Sequence, residues 1–232
     1  MALIDPSVLQ SIEAPAMHIP DGFLSAPVAG VAFALSGIAI AAAVRMTNRN
    51  LAERTVPLMG VMAAFIFAAQ MMNFPVAGGT SGHMLGGALA AILLGPWAAI
   101  IVMTTVVGVQ ALVFQDGGLA ALGANVFNMG VVAVFASYGL YWAIARFAHA
   151  APWVRMAAPF AAAWVSVQLA ALATTFELAL SDTSPLNVAL PAMMGVHALI
   201  GIGEGLITTA AVAFIWTTRR DLLPTEVAVS QE

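Results

Sequence analysis

The chain has 232 residues, of which 62% are hydrophobic and 8% carry a formal charge, with a net charge of −4 and a mean hydropathy of +0.97. Soluble domains have about 45–50% apolar and about 25% charged residues, so this composition is that of a polytopic membrane protein and excludes a soluble enzyme, a nucleic-acid-binding protein and a disordered chain. The absence of cysteine excludes disulfides, thiolate metal sites and cysteine nucleophiles.

The first sixteen residues differ from the rest of the chain. They contain two acidic residues, no basic residue and no long apolar run, so they make a poor secretory signal peptide, although Ala14-Pro15-Ala16 resembles a small-residue cleavage site. Two explanations stay open: the segment is removed after Ala16, or translation begins at Met17. In both, residues 1–16 are absent from the mature protein, which begins Met17-His18, and both are favoured over a retained tail.

Six apolar runs follow this extension. A transmembrane helix needs about 20 predominantly apolar residues, and these runs do not show the alternation of apolar and polar residues that is typical of transmembrane strands. The predicted fold class is therefore all-α. The runs lie near residues 26–46, 56–77, 82–114, 119–146, 156–180 and 188–217.

The third run is too long for a single span, because its 33 residues would form a helix of about 50 Å. Gly95-Pro96 lies inside it, and a proline ends or kinks a helix at the preceding residue. A break there gives seven spans in total instead of six. The short third span, about residues 82–95, must then be tilted or partly buried in protein.

The arginines decide between six and seven spans. With seven spans all of them lie on one side of the membrane, as the positive-inside rule requires, whereas with six the first three lie opposite the other four. The sequence therefore predicts about seven transmembrane helices, with the N-terminus outside and the C-terminus in the cytoplasm. The arginines are Arg45, Arg49, Arg54, Arg146, Arg155, Arg219 and Arg220.

A chain that begins Met17-His18 offers an unusual set of metal ligands. The free amine of Met17, the amide nitrogen between the two residues and the His18 imidazole can wrap one cation in fused chelate rings. His83, in the glycine-rich stretch 78–83 at the predicted outer mouth, offers a fourth nitrogen. A square plane of nitrogens is typical of Ni(II) or Cu(II). The competing explanation is that His18 and His83 are ordinary polar residues at the membrane interface.

Other polar residues lie within the predicted spans. His197 and Glu204 are two helical turns apart and share a face of the last span. Ionisable groups in a bilayer are costly and are functional candidates by default, but hydrogen bonding to a neighbouring helix explains both equally well. Asn125 and Asn128, one turn apart in the fifth span, either join helices or support the metal ligands.

An enzymatic alternative is an intramembrane serine protease of the rhomboid type. Gly79-Thr80-Ser81-Gly82 matches the Gly-x-Ser-Gly pattern of that class, and His197 in a later span would be the base of a Ser-His dyad. The chain lacks the Trp-Arg pair expected in the first loop of a rhomboid, and this interpretation leaves the stretch after Met17 unexplained.

Several stretches together resemble the CbiM/NikM family, the substrate-binding membrane components of energy-coupling factor (ECF) transporters for cobalt and nickel. The resemblance covers about residues 17–217, and its first two motifs are specific. The stretches are MHIPDGFLS (17–25), SGHMLGG (81–87), FQDGG (114–118), LGANVFNMG (122–130), and Val196-His197 with Glu204-Gly205.

The resemblance implies a seven-helix domain over residues 17–217, followed by a cytoplasmic tail over residues 218–232. It assigns the metal-binding roles to Met17, His18 and His83, in an outward-facing pocket that the N-terminus enters. The candidates for residues that contact these ligands without binding the metal themselves are Asn125, Asn128, Asp116, His197 and Glu204.

The same resemblance implies a transporter component that is not itself an enzyme. It takes up Co²⁺ or Ni²⁺ as substrate and holds no permanent cofactor. The implied partners are a transmembrane coupling subunit of the CbiQ/NikQ type, two cytoplasmic ATPase subunits of the CbiO/NikO type, and often a small membrane subunit of the CbiN/NikN type. The implied location is the bacterial inner membrane, with cobalamin biosynthesis as one destination of the metal.

Overall fold

The computed structural model describes residues 18–50, 55–72, 74–76, 80–147 and 153–222. Helices make up nearly all of this part of the chain, and the predicted all-α fold class is confirmed. In chain order the helices are α1 (Ala26–Asn50), α2 (Thr55–Gln70), α3 (Gly87–Leu94), α4 (Pro96–Val113), α5 (Leu122–Val126), a π-helix (Phe127–Val132), α6 (Ala133–Phe147), α7 (Val154–Leu180), α8 (Leu186–Thr218) and a 3₁₀ turn (Arg220–Leu222).

Five helical stretches of the described residues are long and apolar enough to cross a membrane, which makes the chain a multi-pass membrane protein. Two further helices are shorter: α2 has 16 residues and α3 has eight. The total of seven crossings and the sidedness of the termini stay predictions. The five stretches are Ala26–Arg49, Pro96–Val113, Leu122–Arg146, Met156–Leu180 and Leu186–Thr218.

The helix break predicted at Gly95-Pro96 is present. α3 ends at Leu94 and α4 begins at Pro96. Gly95 between them has φ 78° and ψ 164°, a conformation that a residue without Cβ adopts readily. Pro96 occupies the first position of α4, where its missing N–H costs nothing. The third apolar run is therefore two helices, as its length required.

The short helix α3 lies inside the protein. Its eight residues extend about 12 Å, too little to cross a bilayer, and every residue from Gly87 to Leu93 is buried. It packs against α2, α4, α6, α7 and α8. Because the free N–H and C=O groups at its ends are shielded from water, they need partners within the protein.

A short antiparallel hairpin precedes α3. β1 (Phe74–Val76) pairs with β2 (Thr80–Gly82), with Phe74 opposite Gly82. The second apolar run was expected to stay helical to residue 77, but α2 ends at Gln70. Pro75 lacks an N–H and disfavours the helical conformation of the residue before it. The hairpin therefore delivers the chain directly to His83.

The packing of α1 determines where the preceding residues lie. α1 packs mainly against α4 and α5, whereas α7 packs mainly against α8 and α6. Residues 18–25, here called the N-terminal segment, immediately precede α1. They therefore meet residues 114–121, which connect α4 to α5 and are here called the α4–α5 connection.

Candidate metal centre

Two of the predicted ligands lie side by side in the interior. The imidazole rings of His18 and His83 are stacked, with centroids 4.9 Å apart and an angle of 15° between their planes. Each residue is only 2% exposed. His18 belongs to the N-terminal segment, and His83 begins the stretch 83–86, here called the His83 loop, that leads into α3. The fold thus joins two histidines that are distant in sequence.

The ring of His83 is neutral and presents one nitrogen with a free lone pair. Its Nδ1 is 2.9 Å from the carbonyl oxygen of Met84, and a carbonyl only accepts, so the hydrogen resides on Nδ1. Burial and the neighbouring His18 ring lower the pKa of His83 to about 4. Nε2 is buried and has no hydrogen-bond partner. A neutral imidazole with an unpaired nitrogen is the form that binds metal.

The ring of His18 also presents unpaired nitrogens. Nδ1 and Nε2 are both buried and make no well-aligned hydrogen bond. The carboxylate of Asp116 lies beside the ring, with its Oδ1 atom 3.2 Å from Nδ1. The same contact lowers the pKa of the Asp116 carboxyl, whose side chain is 27% exposed. Three buried ring nitrogens therefore lack a hydrogen-bond partner.

Side chains alone do not complete a metal site here. Among the described residues, no group of three or more His, Asp or Glu side chains is arranged to hold an ion. A site built on His18 and His83 therefore takes its remaining donors from groups other than these side chains. Met17, whose amine is the predicted donor, lies outside the described residues.

The N-terminal segment is held by hydrogen bonds at Ile19 and Asp21. The Ile19 N–H donates to Asn125 Oδ1 at 2.8 Å, and Asn125 Nδ2 donates back to the Ile19 carbonyl at 3.1 Å. The Gly118 N–H donates to the same carbonyl at 2.9 Å. The Ala120 N–H donates to Asp21 Oδ1 at 2.7 Å. Asn125 and the α4–α5 connection thus position His18.

Two glycines of the α4–α5 connection make room for this segment. A Cβ on Gly118 would overlap the backbone nitrogen and carboxylate of Asp21, and a Cβ on Gly117 would lie 3.1 Å from that of His18. Gly117 also has φ +93°, which disfavours any residue with a side chain. The sequence analysis named FQDGG only as a motif and predicted no role for its glycines. The two adjacent glycines were the one feature of the sequence that could have indicated a close backbone contact here.

The His83 loop is held from two other helices. The backbone N–H groups of Leu85 and Gly86 donate to Glu204 Oε2 and Oε1, each at 2.7 Å. Gln70 Nε2 donates to the Leu85 carbonyl at 2.6 Å. Glu204 was expected to support the ligands from the family resemblance, whereas helical spacing indicated only that it shares a face with His197. Gln70 was not among the predicted site residues, although a polar side chain in an apolar span was an available signal.

The remaining predicted residues make their hydrogen bonds outside the two histidine-bearing segments. Asn128 Nδ2 donates to Thr174 Oγ1 at 3.0 Å and to Glu177 Oε2 at 2.7 Å, so it joins the π-helix to α7. His197 is buried on α8, with Nδ1 2.7 Å from the carbonyl of Met193 on its own helix. The side chain of Ser81, the nucleophile of the protease alternative, lies outside the described residues.

Known proteins share this architecture. A provisionally named fused nickel transport protein, NikMN, of Archaeoglobus fulgidus is 45% identical over 214 residues, which cover 91% of this chain and 70% of that protein. The cobalt transport protein CbiM of Sorangium cellulosum is 34% identical over 215 residues, which cover 89% of this chain and 94% of that protein. A crystal structure of a truncated transition metal transporter superposes with a TM-score of 0.78 at 37% identity, covering 86% of this chain and 98% of that one.

The family model for CbiM, described as the cobalt uptake substrate-specific transmembrane region, matches residues 18–222. That range contains both histidine-bearing segments and all the helices described above. The relatives are transport proteins for cobalt or nickel, which agrees with a transporter and leaves the protease alternative without support. The chain belongs to the CbiM family of membrane components for cobalt and nickel transport.

Proposed function

We propose that this chain is the substrate-specific component of an ECF-type importer and captures Ni²⁺ or Co²⁺ between His18 and His83. The observation that carries the proposal is the set of buried ring nitrogens without hydrogen-bond partners, on two imidazoles stacked 4.9 Å apart. Buried polar atoms normally have partners, so each exception requires an explanation. Binding of a borderline transition metal, which favours imidazole nitrogen, explains these unpaired atoms.

The complete ligand set that we propose has four nitrogens. The amine of Met17, the amide nitrogen of His18 and the Nδ1 atom of His18 form fused rings around the ion, because Nδ1 is the ring nitrogen that closes a six-membered ring with the residue's own amide. The amide releases its N–H proton to solvent as the metal–nitrogen bond forms. Nε2 of His83 is the fourth donor. Since Asp116 Oδ1 lies 3.2 Å from Nδ1 in this structure, metal capture exchanges that contact for a metal–nitrogen bond.

This ligand set requires Met17 to be the first residue of the mature protein. We therefore propose that residues 1–16 are absent from the working transporter. N-terminal sequencing of protein from the native host should read Met-His-Ile-Pro. A reading of Met-Ala-Leu-Ile from protein that still transports metal would remove the amine from the proposed site.

The donor set accounts for part of the selectivity. Four nitrogens favour Ni²⁺, Co²⁺ or Cu²⁺ over Mg²⁺ and Ca²⁺, which prefer oxygen ligands. Affinity alone ranks Cu²⁺ above Ni²⁺, so rejection of copper comes from metal availability or from the rest of the pocket. A square plane is typical of nickel, whereas the names of the relatives include both nickel and cobalt.

The partners follow from the same assignment. The name of the fused relative NikMN supports a small membrane subunit of the NikN type as one partner. We propose that a CbiQ/NikQ-like coupling subunit and CbiO/NikO-like ATPases complete the importer and carry out all ATP hydrolysis. The importer lies in the inner membrane with the metal site facing outward. Reporter fusions at Arg49 and Arg155 should both report a cytoplasmic location.

The test of the site is metal binding by the two histidine variants. Losing one imidazole leaves a position for water, and we expect His18→Ala and His83→Ala each to weaken Ni²⁺ binding by more than the roughly 10–100-fold that is typical of lost supporting residues. Isothermal titration with Ni²⁺ and Co²⁺ on protein that begins at Met17 measures this. Wild-type affinity in both variants would contradict the proposed site.

A further inference from the structure

The peptide group between Met84 and Leu85 is bonded on both sides. Its carbonyl accepts from Nδ1 of His83, with the two atoms 2.9 Å apart, and its N–H donates to Glu204 Oε2 at 2.7 Å. One planar peptide therefore joins a buried carboxylate to a buried imidazole. The only ring nitrogen of His83 left without a hydrogen-bond partner is Nε2, the proposed fourth metal donor.

Glu204 is suited to this contact by its depth and its charge. It is 1% exposed and lies near the middle of the 33-residue helix α8, where an unpaired carboxylate would be very costly. Its two oxygens each accept one backbone N–H, from Leu85 and from Gly86. Hydrogen bonds to an ionised acceptor are about twice as strong as neutral ones. A neutral amide in this position has only one acceptor oxygen for two donors.

We propose that Glu204 is a positioning residue for His83 and acts through the Met84–Leu85 peptide. The carboxylate orients and polarises the peptide, whose carbonyl then holds the hydrogen of His83 on Nδ1. This leaves the Nε2 lone pair directed at the metal and makes it a better donor. Histidine ligands are commonly oriented by a carboxylate or a carbonyl on the other ring nitrogen; here both act in series. The proposal rests on the metal site proposed above.

The arrangement also connects the ligand to a membrane-spanning helix. Glu204 belongs to α8, which spans Leu186–Thr218, whereas His83 lies in the loop before α3. The two hydrogen bonds to Glu204 therefore couple the position of the His83 loop to that of α8.

The experiment compares Glu204→Gln with the matched control Glu177→Gln. Glu177 lies on α7 and accepts a hydrogen bond from Asn128. The substitution Glu177→Gln therefore makes the same chemical change at a position away from the His83 loop. Two quantities are measured on protein comprising residues 17–232: the tautomer of His83 without metal, by ¹⁵N NMR of the four histidines, and the affinity and visible absorption of bound Ni²⁺.

We expect wild type and Glu177→Gln to hold His83 as the Nδ1–H tautomer and to bind Ni²⁺ alike. Glu204→Gln should give a mixture of His83 tautomers, a shifted Ni²⁺ absorption band and an affinity about 10–100-fold lower. A merely structural role would lower the melting temperature without changing the tautomer. A folded Glu204→Gln protein with unchanged tautomer and affinity overturns the proposal.

Two further results keep the test decisive. If Glu204→Gln does not fold, Gly86→Ala is used instead. Its new Cβ would lie 2.7 Å from the Ile66 side chain, so it displaces the His83 loop while Glu204 stays intact. An unchanged His83 tautomer and Ni²⁺ affinity in Gly86→Ala would overturn the proposal. An Nε2–H tautomer in the metal-free wild type overturns it without any variant. The tautomer is measured without metal, so this proposal and the metal site can fail separately.

Discussion

The two histidine-bearing segments are held by different kinds of contact. The N-terminal segment is held by neutral hydrogen bonds at Ile19, each worth about 1 kcal/mol net, and by a bond from the Ala120 N–H to the exposed carboxylate of Asp21. The His83 loop is held by a buried carboxylate that accepts two N–H groups, and such charge-assisted bonds are stronger in a low-dielectric interior. We infer that the His83 loop is the more firmly held, or fixed, half of the centre and that the N-terminal segment is the more easily displaced half.

The largest loss of Ni²⁺ affinity is expected from Gly118→Ala, which acts on the N-terminal segment. The added Cβ would overlap Asp21, so the N-terminal segment must leave its place and take His18 with it. We expect Ni²⁺ affinity to fall more than about 100-fold, beyond the range for supporting residues. Gly139→Ala is the control, because a Cβ there meets nothing within 4 Å. Equal affinities of the two variants in isothermal titration would show that the contact with Asp21 does not position His18.

Asn125→Ala should have the next largest effect. It removes the acceptor of the Ile19 N–H and one of two donors to the Ile19 carbonyl, and we expect an affinity loss of about 10–100-fold. Asn128→Ala is matched in chemistry but loses its contacts with Thr174 and Glu177. It should lower the melting temperature and leave Ni²⁺ affinity near wild type. The reverse order would assign the supporting role to Asn128.

Gln70→Ala tests the fixed half with a smaller perturbation. The Leu85 carbonyl loses the donor at 2.6 Å, while both bonds to Glu204 remain. A net loss of about 1 kcal/mol corresponds to an affinity about fivefold lower. Titration of this variant beside Asn125→Ala measures the difference directly. If Gln70→Ala is the more damaging of the two, the His83 loop is less firmly fixed than its contacts with Glu204 indicate.

The smallest effect is expected from His197→Ala. His197 bonds within its own helix at Met193, and the proposed ligand set does not use it. Ni²⁺ binding should stay measurable and close to wild type, although transport by the assembled importer can still suffer from altered packing of α8. Complete loss of binding by a folded His197→Ala protein would place this residue among the ligands.

The different contacts of Asn125 and Asn128 could not be predicted from the sequence. In an α-helix, residues three apart lie on neighbouring positions of one face, and both asparagines were expected either to join helices or to support the metal ligands. The structure divides these roles: Asn125, in α5, contacts the N-terminal segment, whereas Asn128, in the π-helix that begins at Phe127, contacts α7. No pattern in the sequence marked the start of that π-helix.

The sequence by itself determined the class of protein, the positions of the apolar helices, the break at Gly95-Pro96 and the pairing of His18 with His83 as candidate ligands. These depend on composition, on run length, on the backbone restrictions of proline and on motif resemblance, all of which are local. Only the tertiary structure decided that α3 is fully buried, that Gly117 and Gly118 admit the N-terminal segment, and that Glu204 reaches His83 through a peptide group. Those contacts join residues far apart in the chain, so they depend on how the helices pack.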